Sequence, residues 1–182
     1  HSVWLNPNDI ELYARTGTSI AHCPKSNLKL ASGIADTDAY LKAGINVGIG
    51  TDGTASNNTL DMVEETRFAA LLPKGTRYNP EAVSARTALR MATINGARAL
   101  GLGHLTGSLE TGKRADLIVI HADASNMIPV YDEYSAIVYA ANSKNIRSSM
   151  VNGKWIMLNR EVMNIDKEET MNAMRRISET TV

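Results

Sequence analysis

The sequence has one cysteine, no net charge, no long apolar run and none of the commonest catalytic loops, and each absence removes a class of function. Cys23 stands alone, so no internal disulfide can form, and such sparing cysteine use fits a reducing compartment, the cytoplasm by default. Nineteen basic side chains are cancelled by nineteen acidic ones. The chain therefore offers no electrostatic footprint for nucleic acid or for an anionic membrane surface. No apolar stretch approaches the roughly 18 residues of a membrane helix, and the first residues show neither the basic nor the apolar region of a secretory signal. There is no Gly-rich phosphate loop, Gly-x-Ser-x-Gly elbow, Cys-x-x-Cys pair or His-Glu-x-x-His helix. Internal repeats and low-complexity linkers are missing too. The first residue is histidine rather than methionine, which reads as a processed or partial chain.

What remains is 182 residues, 43% of them apolar, enough for one ordinary domain or two small ones. The first third alternates strand and helix signals, the pattern of a parallel sheet with helical crossovers. His1–Leu5 reads as the tail of a strand, followed by a short helix capped at Asn8 or Asp9. Thr18–Ala21 reads as a second strand ending near His22, and Asp36–Ala43 as a helix stopped by Gly44. Ile45, Val47 and Ile49 alternate with small or polar residues as a third strand requires. That strand runs into Gly50-Thr51-Asp52-Gly53, where a carboxylate stands next to glycine. Strand carboxyl ends are where parallel α/β folds bind ligands, and here they deliver His1, His22 and Asp52.

An amphipathic helix is predicted over Thr59–Leu72, with Glu64, Glu65 and Arg67 on its polar face and Pro73-Lys74-Gly75 ending it. A second begins near Asn79-Pro80 and runs toward Thr93, where Asn95-Gly96 interrupts. Beyond Gly101 the period shortens. Leu117–Ile120, Ile137-Val138, Ile146–Val151 and Lys154–Met157 read as strands, the last two joined by an Asn152-Gly153 hairpin turn. The tail from Ile165 to Ser178 reads as a polar helix.

The chemistry-bearing residues admit more than one role. Asp52 is either a hard oxygen ligand for a divalent metal or the capping residue of a short turn. His1 either contacts an attacking water or is a frayed terminal residue. His22 either lines a pocket or satisfies a loop carbonyl, and Cys23 reads as a small buried hydrophobe. His104 and His121 lack partners at ligand spacing and read as surface residues. A catalytic zinc takes about three protein ligands, and this chain offers one convincing candidate.

Three segments carry a resemblance: His1-Ser2-Val3-Trp4-Leu5, the run from His22-Cys23-Pro24-Lys25-Ser26-Asn27 to Gly33, and Gly50-Thr51-Asp52-Gly53 through Asn58. With Asp61-Met62-Val63-Glu64-Glu65 and the stretch Gly107–Leu117 they resemble the amidohydrolase superfamily, in its aminohydrolase branch of nucleoside deaminases and triazine chlorohydrolases. The resemblance implies an α/β architecture: the C-terminal part of a metal-dependent (β/α)8 TIM barrel plus part of a small flanking β-sandwich domain. Its division would be 1–104 for the last three strand-helix units, 105–162 for part of the sandwich and 163–182 for a C-terminal helix. It further implies that Asp52 ligates one divalent metal, Zn2+ or Fe2+, and that His1 contacts the water the metal activates. His22, Ser26 and Asn27 would border the substrate pocket, and the remaining metal ligands would lie upstream of His1.

The implied reaction is hydrolytic deamination of an adenine nucleoside, 5-methylthioadenosine or S-adenosylhomocysteine, to the hypoxanthine product and ammonia. Its alternatives are a guanine-type deaminase, a triazine chlorohydrolase or a catalytically inactive fragment. The implied partners are a small purine nucleoside and either a second copy of the chain or a missing N-terminal half.

Overall fold

The structure, a computed structural model, describes residues 1–180. Helix α1 (Pro7–Thr16) starts with proline at its first turn and is capped by Asn6, whose side chain accepts from the Asn8 and Asp9 amides. The cap therefore lies two residues before the expected Asn8. Strand β1 (Ile20–His22) pairs in parallel with β2 (Val47–Ile49), placing Ile20 beside Val47 and His22 beside Ile49. Between them lie α2 (Pro24–Lys29), absent from the sequence reading, and α3 (Thr37–Lys42), capped by Asp36.

His1–Leu5 is not a strand, in correction of the sequence reading. The two-stranded sheet contains only β1 and β2, so no ladder holds this segment. It is fixed through side chains instead: the Tyr40 hydroxyl donates to the Ser2 carbonyl at 2.9 Å, and the Trp4 indole donates to the Ser32 carbonyl at 2.8 Å. These ties bring His1 alongside α2.

After β2 come a short helix α4 (Thr54–Asn57) and the long helix α5 (Met62–Arg77), whose first turn is capped by Asp61. Helix α5 runs through Pro73 rather than ending before it. Helix α6 (Ala85–Arg90), capped by Ser84, continues through a π-helical stretch, Met91–Asn95, into α7 (Gly96–Ala99). Asn95-Gly96 thus widens the helix and does not break it. The gain is visible at Asn95, whose side-chain amide donates to the Val47 carbonyl of β2 at 3.2 Å.

A four-stranded antiparallel sheet, β3 (Leu117–Ile120), β4 (Ile146–Val151), β5 (Lys154–Leu158) and β6 (Glu161–Val162), follows in sequential order. Asn152 and Gly153 both take positive φ, 48° and 75°, as a type I′ hairpin requires. Between β3 and β4 the expected strand at Ile137-Val138 is helical: α8 (Glu133–Ser135) passes into a π stretch, Ala136–Ala140. The reason lies in its surroundings, since Val138 and Ala141 are fully buried and Arg67 of α5 donates to both of their carbonyls. Helix α9 (Lys167–Thr180) closes the described chain and buries none of its residues. The core gathers Ile20, Tyr40, Ile45, Val47, Ala69, Met91 and Val138 around β1, β2, α5 and α6.

Candidate active site

The carboxyl ends of β1 and β2 point the same way, so the segments leaving them meet; His22 ends β1, Ser26 and Asn27 lie on α2 after it, Asp52 follows β2, and His1 reaches them from the N-terminal segment. Asp52 follows β2 with φ at 61°, a left-handed conformation uncommon for a residue other than glycine. Its side chain is held at both oxygens. Oδ1 accepts from the Gly53 amide at 2.8 Å, and Oδ2 accepts from the Ser26 hydroxyl at 2.6 Å. The Ser26 hydroxyl first and the Gly53 amide second hold the carboxyl below the usual aspartate range, so it is an anion at neutral pH.

His1 faces the same carboxylate, with Nε2 at 3.6 Å from Oδ2 of Asp52. Its other ring nitrogen, Nδ1, lies 2.6 Å from Oδ1 of Asn27. With Nδ1 bonded to that amide oxygen, Asn27 fixes the ring with its Nε2 toward Asp52. Ser26 and Asn27, both buried, are adjacent on α2, so one short helix supports both members of the pair.

His22 lies deeper. Its side chain is buried, and neither ring nitrogen finds a hydrogen-bond partner among the described residues. Burial first, and the positive chain terminus second, lower its pKa from 6.5 to about 4, so the ring is neutral. Cys23 is buried, as read, and burial pushes its thiol up. His104 and His121 are exposed.

The sequence reading assigned no role beneath these loops to Asn57, Glu65 and Lys25. Asn57 donates to the Thr51 carbonyl and, at 2.6 Å, to Oε1 of Glu65. The second oxygen of Glu65 accepts from the Lys25 amide at 3.2 Å. Glu65 is fully buried, not on the outer face where the helical period put it. Its only signal in the sequence was its place in the first turn of a capped helix just after the Asp52 loop.

These contacts suit a divalent cation. Asp52 presents a fixed anionic oxygen of the kind zinc takes, and Nε2 of His1, 3.6 Å from it, stands where it can contact a water beside such a cation. Among the described residues no group of three or more His, Cys, Asp or Glu side chains converges. The sequence profile of the amidohydrolase family matches residues 1–156.

The chain belongs to the amidohydrolase family. Among its relatives, the 5-methylthioadenosine/S-adenosylhomocysteine deaminase of Moorella thermoacetica is 50% identical over 169 residues, 93% of this chain and 40% of that protein. An adenosine deaminase from Xanthomonas campestris, solved with bound zinc, superposes with a TM-score of 0.97 at 40% identity, covering 99% of this chain and 41% of that one. The atrazine chlorohydrolase of Arthrobacter aurescens, solved with zinc and atraton, gives a TM-score of 0.91 at 32% identity, over 97% and 39% of the two chains. This amidohydrolase chain thus spans about two fifths of the length of the relatives it matches.

Proposed function

We propose that the protein carrying this chain performs metal-dependent hydrolytic deamination of an adenine nucleoside of the 5-methylthioadenosine or S-adenosylhomocysteine class. The observation that carries the reading is the Asp52 carboxylate, held by Ser26 and Gly53 and faced by His1 at 3.6 Å. The names of the relatives supply the substrate class. In this reading the chain forms the C-terminal part of a (β/α)8 barrel in 1–104 and part of a flanking sandwich in 105–162, with 163–182 as the terminal helix. Segment 133–141 returns to the barrel side, since Val138 and Ala141 are buried there.

Asp52 would hold the metal together with ligands from outside this chain, and zinc, or Fe2+ in its place, supplies a water acidified toward neutral pH and stabilisation of developing negative charge. Asp52 accepts a proton from the attacking water. His1, its ring aimed by Asn27, hydrogen-bonds the same water and orients it toward the carbon bearing the exocyclic amine. The hydroxyl of that water adds to the carbon while the neighbouring ring nitrogen takes the proton that Asp52 had accepted; the hydroxyl proton then passes to the amine, and the carbon–nitrogen bond breaks. Water and adenine become hypoxanthine and ammonia. His22, Ser26 and Asn27 border the pocket in this reading, Ser26 and Asn27 serving chiefly to aim the reacting pair.

No described helix is long and apolar enough to cross a membrane. We place the protein in the cytoplasm, as a homo-oligomer or completed by further residues of the same protein. Ammonia release from 5-methylthioadenosine by the full-length protein tests the function, with Asp52→Ala expected to lose nearly all zinc and turnover. Turnover of guanine or of a chloro-s-triazine in its place would transfer the site to those chemistries. An Asp52→Ala protein that keeps its zinc would end the ligand assignment.

A further inference from the structure

Beneath the two site loops lies a fully buried carboxylate that the reaction does not use. Glu65 sits in the first turn of α5, where the Asp61 cap fixes the helix by accepting from the Val63 and Glu64 amides. Burying a carboxylate is costly unless its oxygens are satisfied, and an apolar residue of similar size would fill the space without that cost. Each oxygen of Glu65 has one donor, and the donors come from different loops. The Lys25 amide reaches Oε2 at 3.2 Å from the residue just before Ser26, and the Asn57 amide reaches Oε1 at 2.6 Å.

Asn57 in turn donates to the carbonyl of Thr51, the residue just before Asp52. The orientation of its amide is fixed by the Thr59 hydroxyl, which donates to Oδ1 at 3.4 Å while receiving the Lys25 ammonium at 2.8 Å. The contacts close a ring. It runs from Glu65 to the Lys25 amide, through Ser26 to the Asp52 carboxylate, back along Thr51 to Asn57 and so to Glu65. Burial, the larger effect, raises the Glu65 carboxyl above the usual range, while the Asn57 and Lys25 donors pull it back.

We infer that Glu65 is a positioning residue for the metal ligand: through Asn57 and the Lys25 backbone it locks the loops after β1 and β2 together, so that Ser26 and Asp52 keep the geometry a divalent cation needs. The inference rests on the reading of Asp52 as a ligand. Glu65→Gln tests it with almost no change of volume, because both partners are donors and one of them must then face an amide NH2. Partners that orient a metal ligand typically cost about 10- to 100-fold in metal affinity or activity when changed.

In the full-length protein, Glu65→Gln is expected to weaken zinc binding in a chelator competition by about that factor. The apparent kcat at limiting zinc should fall with it, KM should stay near wild type, and excess zinc should restore turnover. Asn57→Ala, which removes the link between the Thr51 carbonyl and Oε1 of Glu65 without changing a residue of α5, should reproduce the pattern. Wild-type zinc affinity in both variants, even with a lowered melting temperature, would overturn the inference and reduce Glu65 to a structural role. Asp52→Ala, run in parallel, separates the two ideas. Zinc lost there but kept in the other two variants ends the Glu65 inference alone, whereas zinc kept in Asp52→Ala ends the ligand reading itself.

Discussion

At the scale of single residues, burial of a titratable group without a partner makes a pH-dependent protein, and His22 is such a group. Its folded pKa is about 4 against an unreacted 6.5. The unfolded chain therefore binds the proton first as pH falls. Stability is full above about pH 6.5 and declines toward about pH 4, where the folded ring protonates as well. The expected loss over that window is up to about 3 kcal/mol, from the size of the shift. Urea unfolding of wild type and His22→Leu across the window checks it: wild type should lose stability relative to the variant on acidification, and a difference independent of pH would refute the assignment. The same comparison shows what sequence reveals about residues. Asp52 stood out because an alternating strand ends at a carboxylate beside glycine, and the structure holds that carboxylate between the Ser26 hydroxyl and the Gly53 amide. Glu65 was not, because Glu64 and Glu65 look alike in a helical period, and only the position of the neighbouring loops turns one outward to the Lys25 ammonium and the other inward.

At the scale of elements, strands β1 and β2 and helices α3 and α5 follow from alternation and capping, which are local properties. The errors arise where distant packing decides. Pro73 lies inside α5, and the Ile137-Val138 pair is helical where Arg67 of α5 holds the Val138 and Ala141 carbonyls. The contact between β2 and the α6–α7 helix is of this distant kind. A Cβ on Gly48 would stand 3.0 Å from Cα and 3.2 Å from N of Gly96, both backbone atoms that cannot rotate away. Gly48→Ala should therefore push the helix off the strand, break the bonds from Asn46 to the Asn95 carbonyl and from Asn95 to the Val47 carbonyl, and destabilise by about 1–3 kcal/mol, the usual cost of overpacking. Thermal or urea unfolding measures it. Gly44→Ala makes a useful contrast, since its Cβ meets nothing and its penalty comes only from a left-handed φ of 81°. A Gly48→Ala protein as stable as wild type would mean that the close approach at Gly48 contributes nothing.

At the scale of the whole molecule, the 182 residues present more unpaired surface than a self-sufficient domain tolerates. The parallel sheet has two strands, so β1 and β2 each keep one edge without a partner strand. Leu60, Leu100 and Leu109 are largely exposed. An open, mostly apolar groove of about 860 Å³ runs between α6–α7 and β3, lined by Leu89, Ile94, Leu102, Leu109, Ile118 and Ile137. The family relatives matched here are about two and a half times as long, and in the zinc-bound adenosine deaminase this chain corresponds to 41% of the polypeptide. Prepared alone, the 182 residues should therefore associate through these edges and bind zinc weakly, since no group of three or more His, Cys, Asp or Glu side chains gathers around Asp52 among the described residues. Light scattering after size exclusion over a range of concentrations, with zinc titrated by a chromophoric chelator, measures both properties. Concentration-dependent assembly and weak metal binding are the expected result. A monomer at every concentration that binds zinc as tightly as the full-length protein would show that these residues form the site unaided, and would remove the need for ligands from elsewhere in the protein.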